Sequence, residues 1–285
     1  MPLTNQELEI LEKKANELRH LCVDTTVWGH SGHIGGSMSA MDILTILYYK
    51  YMNINPKNPN WDERDRFILS KGHVGVGYAP VLADKGYFDK EWLKDFNLTG
   101  SRLGMHLDGN KVPGVDASTG SLGHGLAIAL GMAMAAKLQG KSYKTYCLLG
   151  DGECDEGAVW EAAMATSHFK ATNLITIVDR NQCMIDGRTE DIMKLEPFAD
   201  KWRAFGFTVK EINGHNFNEI SESIDFALEA KDAPVLILAN TIKGCGIDYM
   251  EDDYRWHYGA LDEEKVNKAK ESLDKYYEKR AKKAN

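Results

Sequence analysis

The chain has 285 residues and a formal net charge of −8, with 43% hydrophobic and 27% charged residues. That composition marks a soluble globular protein rather than a fibrous or disordered one, and a chain of this length buries about three quarters of its unfolded surface, so its core needs no disulfide or metal staple. The acidic balance argues against nonspecific binding to nucleic acid or to an anionic membrane, since both call for a basic face.

Leu8, Leu11, Ala15, Leu18, Leu21 and Cys22 recur at helical spacing and predict a helix over 5–28. A second helix is expected over 40–51, and glycine-rich loops follow both. Arg66-Phe67-Ile68-Leu69 reads as a short strand. Strand and helix then alternate: strands are expected over 145–149, 174–178, 207–212 and 235–239, with helices over 156–169, near 198–205 and over 217–230. Short β-branched runs separated by helices of this length predict right-handed βαβ crossovers, hence an α/β fold whose parallel sheet is covered by helices on both faces. The last stretch, from Glu263 to Asn285, carries eight basic and five acidic residues, with Val266, Ala269, Leu273 and Tyr276 on one helical face. Beside an acidic body it reads as a docked terminal helix over about 262–285 rather than a membrane or RNA element.

Only seven prolines occur and no Ser/Gly linker interrupts the chain, so a single domain over 1–285 is expected, with a helical N-terminal extension over about 5–51. Five cysteines, an odd number without a CxxC pair, fit a reducing compartment and structural roles. The N-terminus lacks a signal layout and no window reaches a membrane span, so a cytoplasmic location is expected.

The first chemically informative segment is Leu149-Gly150-Asp151-Gly152-Glu153, between an apolar strand and a helix. In open α/β sheets the ligand crevice lies beyond the carboxyl ends of the strands, and glycines there let backbone N–H groups approach a phosphate. Gly-Asp-Gly alone is equally good turn chemistry. The next strand ends Val178-Asp179-Arg180-Asn181, so one crossover brings Asn181 to the same edge as Asp151. Two hard oxygen ligands at one crevice suit Mg²⁺, which takes few protein carboxylates together with phosphate oxygens and water. Of nine histidines, His33, His73, His106 and His257 lie in polar, glycine-containing loops, where imidazoles are the commonest proton-transfer groups.

Asp151-Gly152 followed at this distance by Asn181 resembles the thiamine diphosphate signature. The other matching segments are Ser31-Gly32-His33, Asp65 to His73, Met105-His106, Thr119 to Gly125, Glu156-Gly157, Ile185-Asp186-Gly187 and Trp256-His257-Tyr258-Gly259. In this order they resemble the N-terminal, diphosphate-binding half of a transketolase. The resemblance implies that Asp151, Asn181 and the Cys183 carbonyl hold Mg²⁺, with Ca²⁺ or Mn²⁺ as alternatives. It also places Gly152 at the diphosphate, Gly150 and Glu153 among the cofactor contacts, Gly120, Ser121 and Leu122 by the aminopyrimidine, and Ile185 against the cofactor. His73 and His257 match diphosphate contacts, and His33, His106 and His257 the groups around the reacting carbons of the sugar. Glu156 matches a carboxylate at a subunit interface, although a carboxylate at a helix N-terminus is favoured by the macrodipole in any case. His124 stands where the family commonly has Gln.

A full-length transketolase continues past the His257 region into pyrimidine-binding and C-terminal domains. The resemblance therefore implies one subunit of a split enzyme, paired as a heterotetramer with a separate C-terminal subunit. It would transfer a two-carbon ketol unit between sugar phosphates, in pentose phosphate metabolism, without nucleic acid or membrane partners. The alternatives are a split enzyme for a modified sugar, such as apulose phosphate or a sulfosugar, and a noncatalytic scaffold subunit.

Overall fold

Thr4 opens the first helix, α1 (Asn5–Trp28), with a capping box: its hydroxyl accepts from the Glu7 N–H at 3.2 Å, and the Glu7 carboxylate accepts from the Thr4 N–H at 2.9 Å. The computed structural model describes residues 2–284; Met1 and Asn285, the ends of the expected domain and terminal helix, lie outside the described residues. The second helix, α2 (Ile34–Ile46), begins earlier than the predicted residue 40 and ends in a π-helical turn, Leu47–Tyr51. Gly35 and Gly36 read as loop but lie inside it. They are small because neighbours press on them: a Cβ on Gly35 would stand 2.6 Å from the Trp256 carbonyl oxygen. Every residue of α2 is buried, the polar Ser37, Ser39, Asp42 and Thr45 included.

The strands are β1 (Arg66–Leu69), β2 (Thr145–Gly150), β3 (Leu174–Arg180), β4 (Thr208–Asn213) and β5 (Val235–Asn240). They form one parallel sheet in the order β1-β2-β3-β5-β4, which bears out the predicted α/β fold class. Alternate strand residues feed two cores. Phe67, Tyr146, Leu148, Ile175, Ile177 and Ile237 face α1, α2, α3 (Gly75–Lys85) and α8 (Phe217–Glu229). Ile68, Cys147, Leu149, Val178 and Leu236 face α4 (Gly125–Leu138), α5 (Gly157–His168) and α7 (Phe198–Ala204). A short α6 (Thr189–Ile192) lies on the β3–β4 connection. Helices α3 and α4 were not among the predicted elements. Their glycines and Pro80 mask the helical signal, yet Gly125 serves packing, since a Cβ there would lie 2.3 Å from Ser70 Oγ.

The basic terminal helix, α9 (Glu263–Ala284), packs on α1 through Ala269 and Leu273, both fully buried. Arg280 fastens its far end to a charged cluster centred on Asp42 of α2. Arg19 of α1 donates to both Asp42 oxygens, at 3.0 and 2.7 Å, and Arg280 reaches the same carboxylate at 3.1 Å. His215, in the turn before α8, meets it at 2.8 Å through Nδ1, and Arg280 also pairs with Glu12. Burial pushes the Asp42 carboxyl up, but Arg19 and Arg280 overcome this and hold it well below the usual carboxylate range.

Candidate functional site

The sheet register sets the site. Gly150 at the end of β2 pairs with Asp179 near the end of β3, so Asp151 and Asn181 leave neighbouring strands at the carboxyl edge, and the Asp151 N–H reaches the Asp179 carbonyl at 3.3 Å. Asp151 Oδ1 accepts from the Gly152 N–H at 2.9 Å and Oδ2 from the Gln182 N–H at 2.5 Å. Asn181 Nδ2 donates to Ser39 Oγ at 3.3 Å, while its Oδ1 accepts from the Cys183 N–H at 3.1 Å. Asp151, Asn181 and Cys183 line one cavity of about 280 Å³ beyond the strand ends.

Charge in this cavity is unevenly compensated. Asp179, fully buried, accepts from Ser39 Oγ at 2.7 Å, Lys71 Nζ at 2.5 Å and Thr241 Oγ1. Burial raises its carboxyl, but Lys71 and these bonds bring it below the ordinary value. Among the described residues no ammonium bonds Asp151: burial, followed by the nearby Asp179 charge, pushes its carboxyl up to about 6. It is a buried carboxylate short of positive charge, which a divalent cation would supply. Among the described residues no three His, Cys, Asp or Glu side chains converge as a metal cluster. An ion here would rest on one carboxylate, the Asn181 amide oxygen and the Cys183 carbonyl, an all-oxygen set that fits a hard cation.

Four imidazoles gather beside this edge. The His33 ring centroid lies 5.0 Å from that of His73, 5.3 Å from His257 and 6.3 Å from His106, and His73 stacks on His257 at 5.2 Å. Burial comes first in lowering all four. It brings His33 to about 4, helped by His106, Lys243 and Lys71, and His257 to about 3, helped by Lys243, His33 and Lys71. His73 falls well below the usual range, and His106, an exposed residue, is lowered only by the partial withdrawal of its ring from water. All four therefore favour the neutral form, able to give or take hydrogen bonds; Lys71 is paired with Asp179, and burial, foremost, lowers Lys243 to about 8.

His33, His73 and His257 line the cavity together with Gly120, Leu122, Gly150, Gly152 and Ile185, whose side chain is 58% exposed. Glu153 also lines it, but its oxygens are already engaged: Oε1 accepts from Ser70 Oγ at 2.5 Å and the Gly123 N–H at 2.9 Å, Oε2 from the Gly150 N–H at 3.0 Å. It ties three loops together. Gly123 has φ +86°, and a Cβ there would lie 2.7 Å from Glu156 Cβ, so only glycine fits between that loop and Glu156. His106, Ser121 and Glu156 are exposed and stand outside the cavity wall.

Sequence reasoning missed Lys71, Lys243 and Asp179. Lys243 follows β5 in Thr241-Ile242-Lys243-Gly244, a glycine-containing loop at the same carboxyl edge as Gly150-Asp151-Gly152. The strand-end rule would have flagged it.

The family described as transketolase, thiamine diphosphate binding domain, matches residues 10–280. The chain belongs to the transketolase family. It is 42% identical to the 6-deoxy-6-sulfo-D-fructose transketolase subunit of Clostridium sp. (strain MSTE9), covering 96% of this chain and 99% of that one. It is 39% identical to an apulose-4-phosphate transketolase subunit of Phocaeicola vulgatus, with 98% and 99% covered. Against Homo sapiens transketolase the identity is 36%, over 88% of this chain but 40% of the human one. The crystal structure of Campylobacter jejuni transketolase superposes with a TM-score of 0.88 at 36% identity, covering 93% of this chain and 43% of that chain. This transketolase chain thus carries the thiamine diphosphate binding fold, and its cavity lies beyond the carboxyl ends of parallel strands, where open α/β sheets in general take ligands.

Proposed function

We propose that this chain is the cofactor-holding subunit of a two-chain transketolase, which moves a two-carbon ketol unit from a ketose phosphate to an aldose phosphate. The observation that carries the reading is the convergence of Asp151, Asn181 and the Cys183 carbonyl with His33, His73 and His257 around one cavity. Bound there, thiamine diphosphate supplies the carbon nucleophile for carbon–carbon cleavage. Asp151, Asn181 and the Cys183 carbonyl would hold Mg²⁺, and the Gly152 N–H would meet the diphosphate, with the charge of Lys71 and Lys243 in the wall behind it. The neutral imidazoles of His33, His106 and His257 bind sugar hydroxyls and move protons. Leu122 and Ile185 are apolar walls against the cofactor, and Glu153 braces the loops that carry them.

The partner chain is inferred from relatives: two proteins matched over 99% of their own length are named as transketolase subunits. We assign a separate chain with pyrimidine-binding and C-terminal domains, in a heterotetramer of two copies of each, with exposed Glu156 at an interface. Five buried, unpaired cysteines support a cytoplasmic location, and no helix among the described residues is long and apolar enough to cross a membrane.

A second reading, a modified-sugar donor, is favoured by the sulfosugar and apulose phosphate in those relatives' names. A donor panel on the complex with its partner, holding linear ketose phosphates, a branched ketose phosphate and a sulfonated ketose, separates the two. Turnover of the linear phosphates that requires thiamine diphosphate and a divalent cation is expected. Turnover confined to the branched or sulfonated donor replaces the first reading by the second, and no turnover of any donor overturns both.

A further inference from the structure

Lys243 is 1% exposed, and its ammonium is fully engaged. Nζ donates to the Cys183 carbonyl at 3.1 Å and the Met184 carbonyl at 3.1 Å, and it lies 2.8 Å from His257 Nδ1. Burial, foremost, lowers Lys243 to about 8, so at pH 7 it is still an ammonium, with three hydrogens and no lone pair, and toward it His257 Nδ1 can only accept. The proton of the neutral ring then sits on Nε2. The Met184 carbonyl also borders this ring. The other tautomer would set an Nδ1–H against the ammonium, and like polarity at 2.8 Å in a buried site excludes it.

His33 is held the opposite way. Its Nδ1 lies 3.3 Å from Met105 Sδ, and a thioether has only lone pairs to offer, so Nδ1 carries the hydrogen and Nε2 is left as an acceptor. The two rings face each other edge to face at 5.3 Å. One cavity therefore presents an imidazole N–H and an imidazole lone pair side by side. Which nitrogen bears the proton is set by the hydrogen bond made at the other.

We propose that Lys243 is a positioning residue that locks His257 in its Nε2–H form, so that His257 meets the sugar as a hydrogen-bond donor while His33 meets it as the acceptor. The use of this pair on a sugar rests on the function proposed above. The tautomer itself is a property of the full chain alone, without partner, metal or cofactor. Lys243 also joins the two halves of the site, because the carbonyl it holds at Cys183 is the one assigned to the metal.

Long-range ¹H–¹⁵N correlation spectra of the full-length chain read the tautomer directly, with the His257 signals assigned by their loss in His257→Gln. The wild type is expected to show a single Nε2–H ring at His257. In Lys243→Met no donor holds Nδ1 as an acceptor, and the Nδ1–H form should appear. Lys243→Arg, which keeps cationic donors, should retain Nε2–H. An Nδ1–H ring at His257 in the wild type, or an unchanged ring in a folded Lys243→Met, overturns the proposal. Should Lys243→Met fail to fold, the wild-type and Lys243→Arg spectra decide it in the same way. Loss of ketol transfer with the tautomers as stated would count against the proposed function and leave this inference standing.

Discussion

Asp151→Ala is expected to weaken metal-dependent thiamine diphosphate binding by more than about 100-fold while leaving the chain folded. Changes one layer out from a metal typically cost about 10–100-fold in affinity, so removing the only carboxylate of the donor set should exceed that range. The fold should survive because two effects oppose each other. The substitution leaves the Gly152 and Gln182 N–H groups without their acceptor, at about 1–3 kcal/mol each if no water replaces it. It also removes a buried carboxylate that burial and Asp179 have already pushed up to about 6, a strain worth roughly 1.4 kcal/mol per pH unit of displacement. Calorimetric titration of the cofactor with and without Mg²⁺ measures the first effect, and urea unfolding the second. Metal-dependent binding that stays at the wild-type level would remove Asp151 from the site.

Asp42→Ala should produce the largest loss of stability, about 3–5 kcal/mol, because it strips the partner from buried cations. Arg19 is 1% exposed and Asp42 fully buried, so the Arg19 guanidinium has no water to turn to once the carboxylate is gone. Arg280 and His215 converge on the same carboxylate from α9 and from the turn before α8. The substitution therefore unpins α1, α2 and α9 together. An exposed pair provides the contrast: Lys268 and Glu264 bond at 2.6 Å on the outside of α9, with side chains 60% and 77% exposed, and removing that pair should change stability by no more than about 0.5 kcal/mol. Urea denaturation of both variants checks the comparison. Similar midpoints for the two would mean that the Asp42 cluster does not hold the terminal helix.

What could be read in advance follows the physics of each signal. β2, β3 and β5 are buried, β-branched or leucine-rich runs, so their positions, their parallel pairing and the strand-end placement of Asp151 and Asn181 were legible in the sequence. The start of α2 was not, because Gly35 and Gly36 look like a loop until Trp256, more than two hundred residues away, is seen to press on Gly35. Helices α3 and α4 were hidden by the same use of glycine for close packing. Lys243 follows a strand end and could have been flagged by that position, whereas Asp179 and Lys71 look like ordinary polar residues locally and gain a place in the site only through the register that sets Asp179 beside Gly150 and the ion pair between Lys71 and Asp179. Glu153 illustrates the converse. The resemblance placed it among the cofactor contacts; it lines the cavity, and its bonds to Ser70, Gly123 and the end of β2, which nothing in its local sequence announces, also make it a brace.

Ketol transfer measured on this chain alone, and again after mixing with a chain that carries the pyrimidine-binding and C-terminal domains, tests the split-enzyme account most directly. No turnover by the single chain is predicted, with activity appearing on mixing in the presence of thiamine diphosphate and Mg²⁺. Full turnover by this chain without a partner would contradict it.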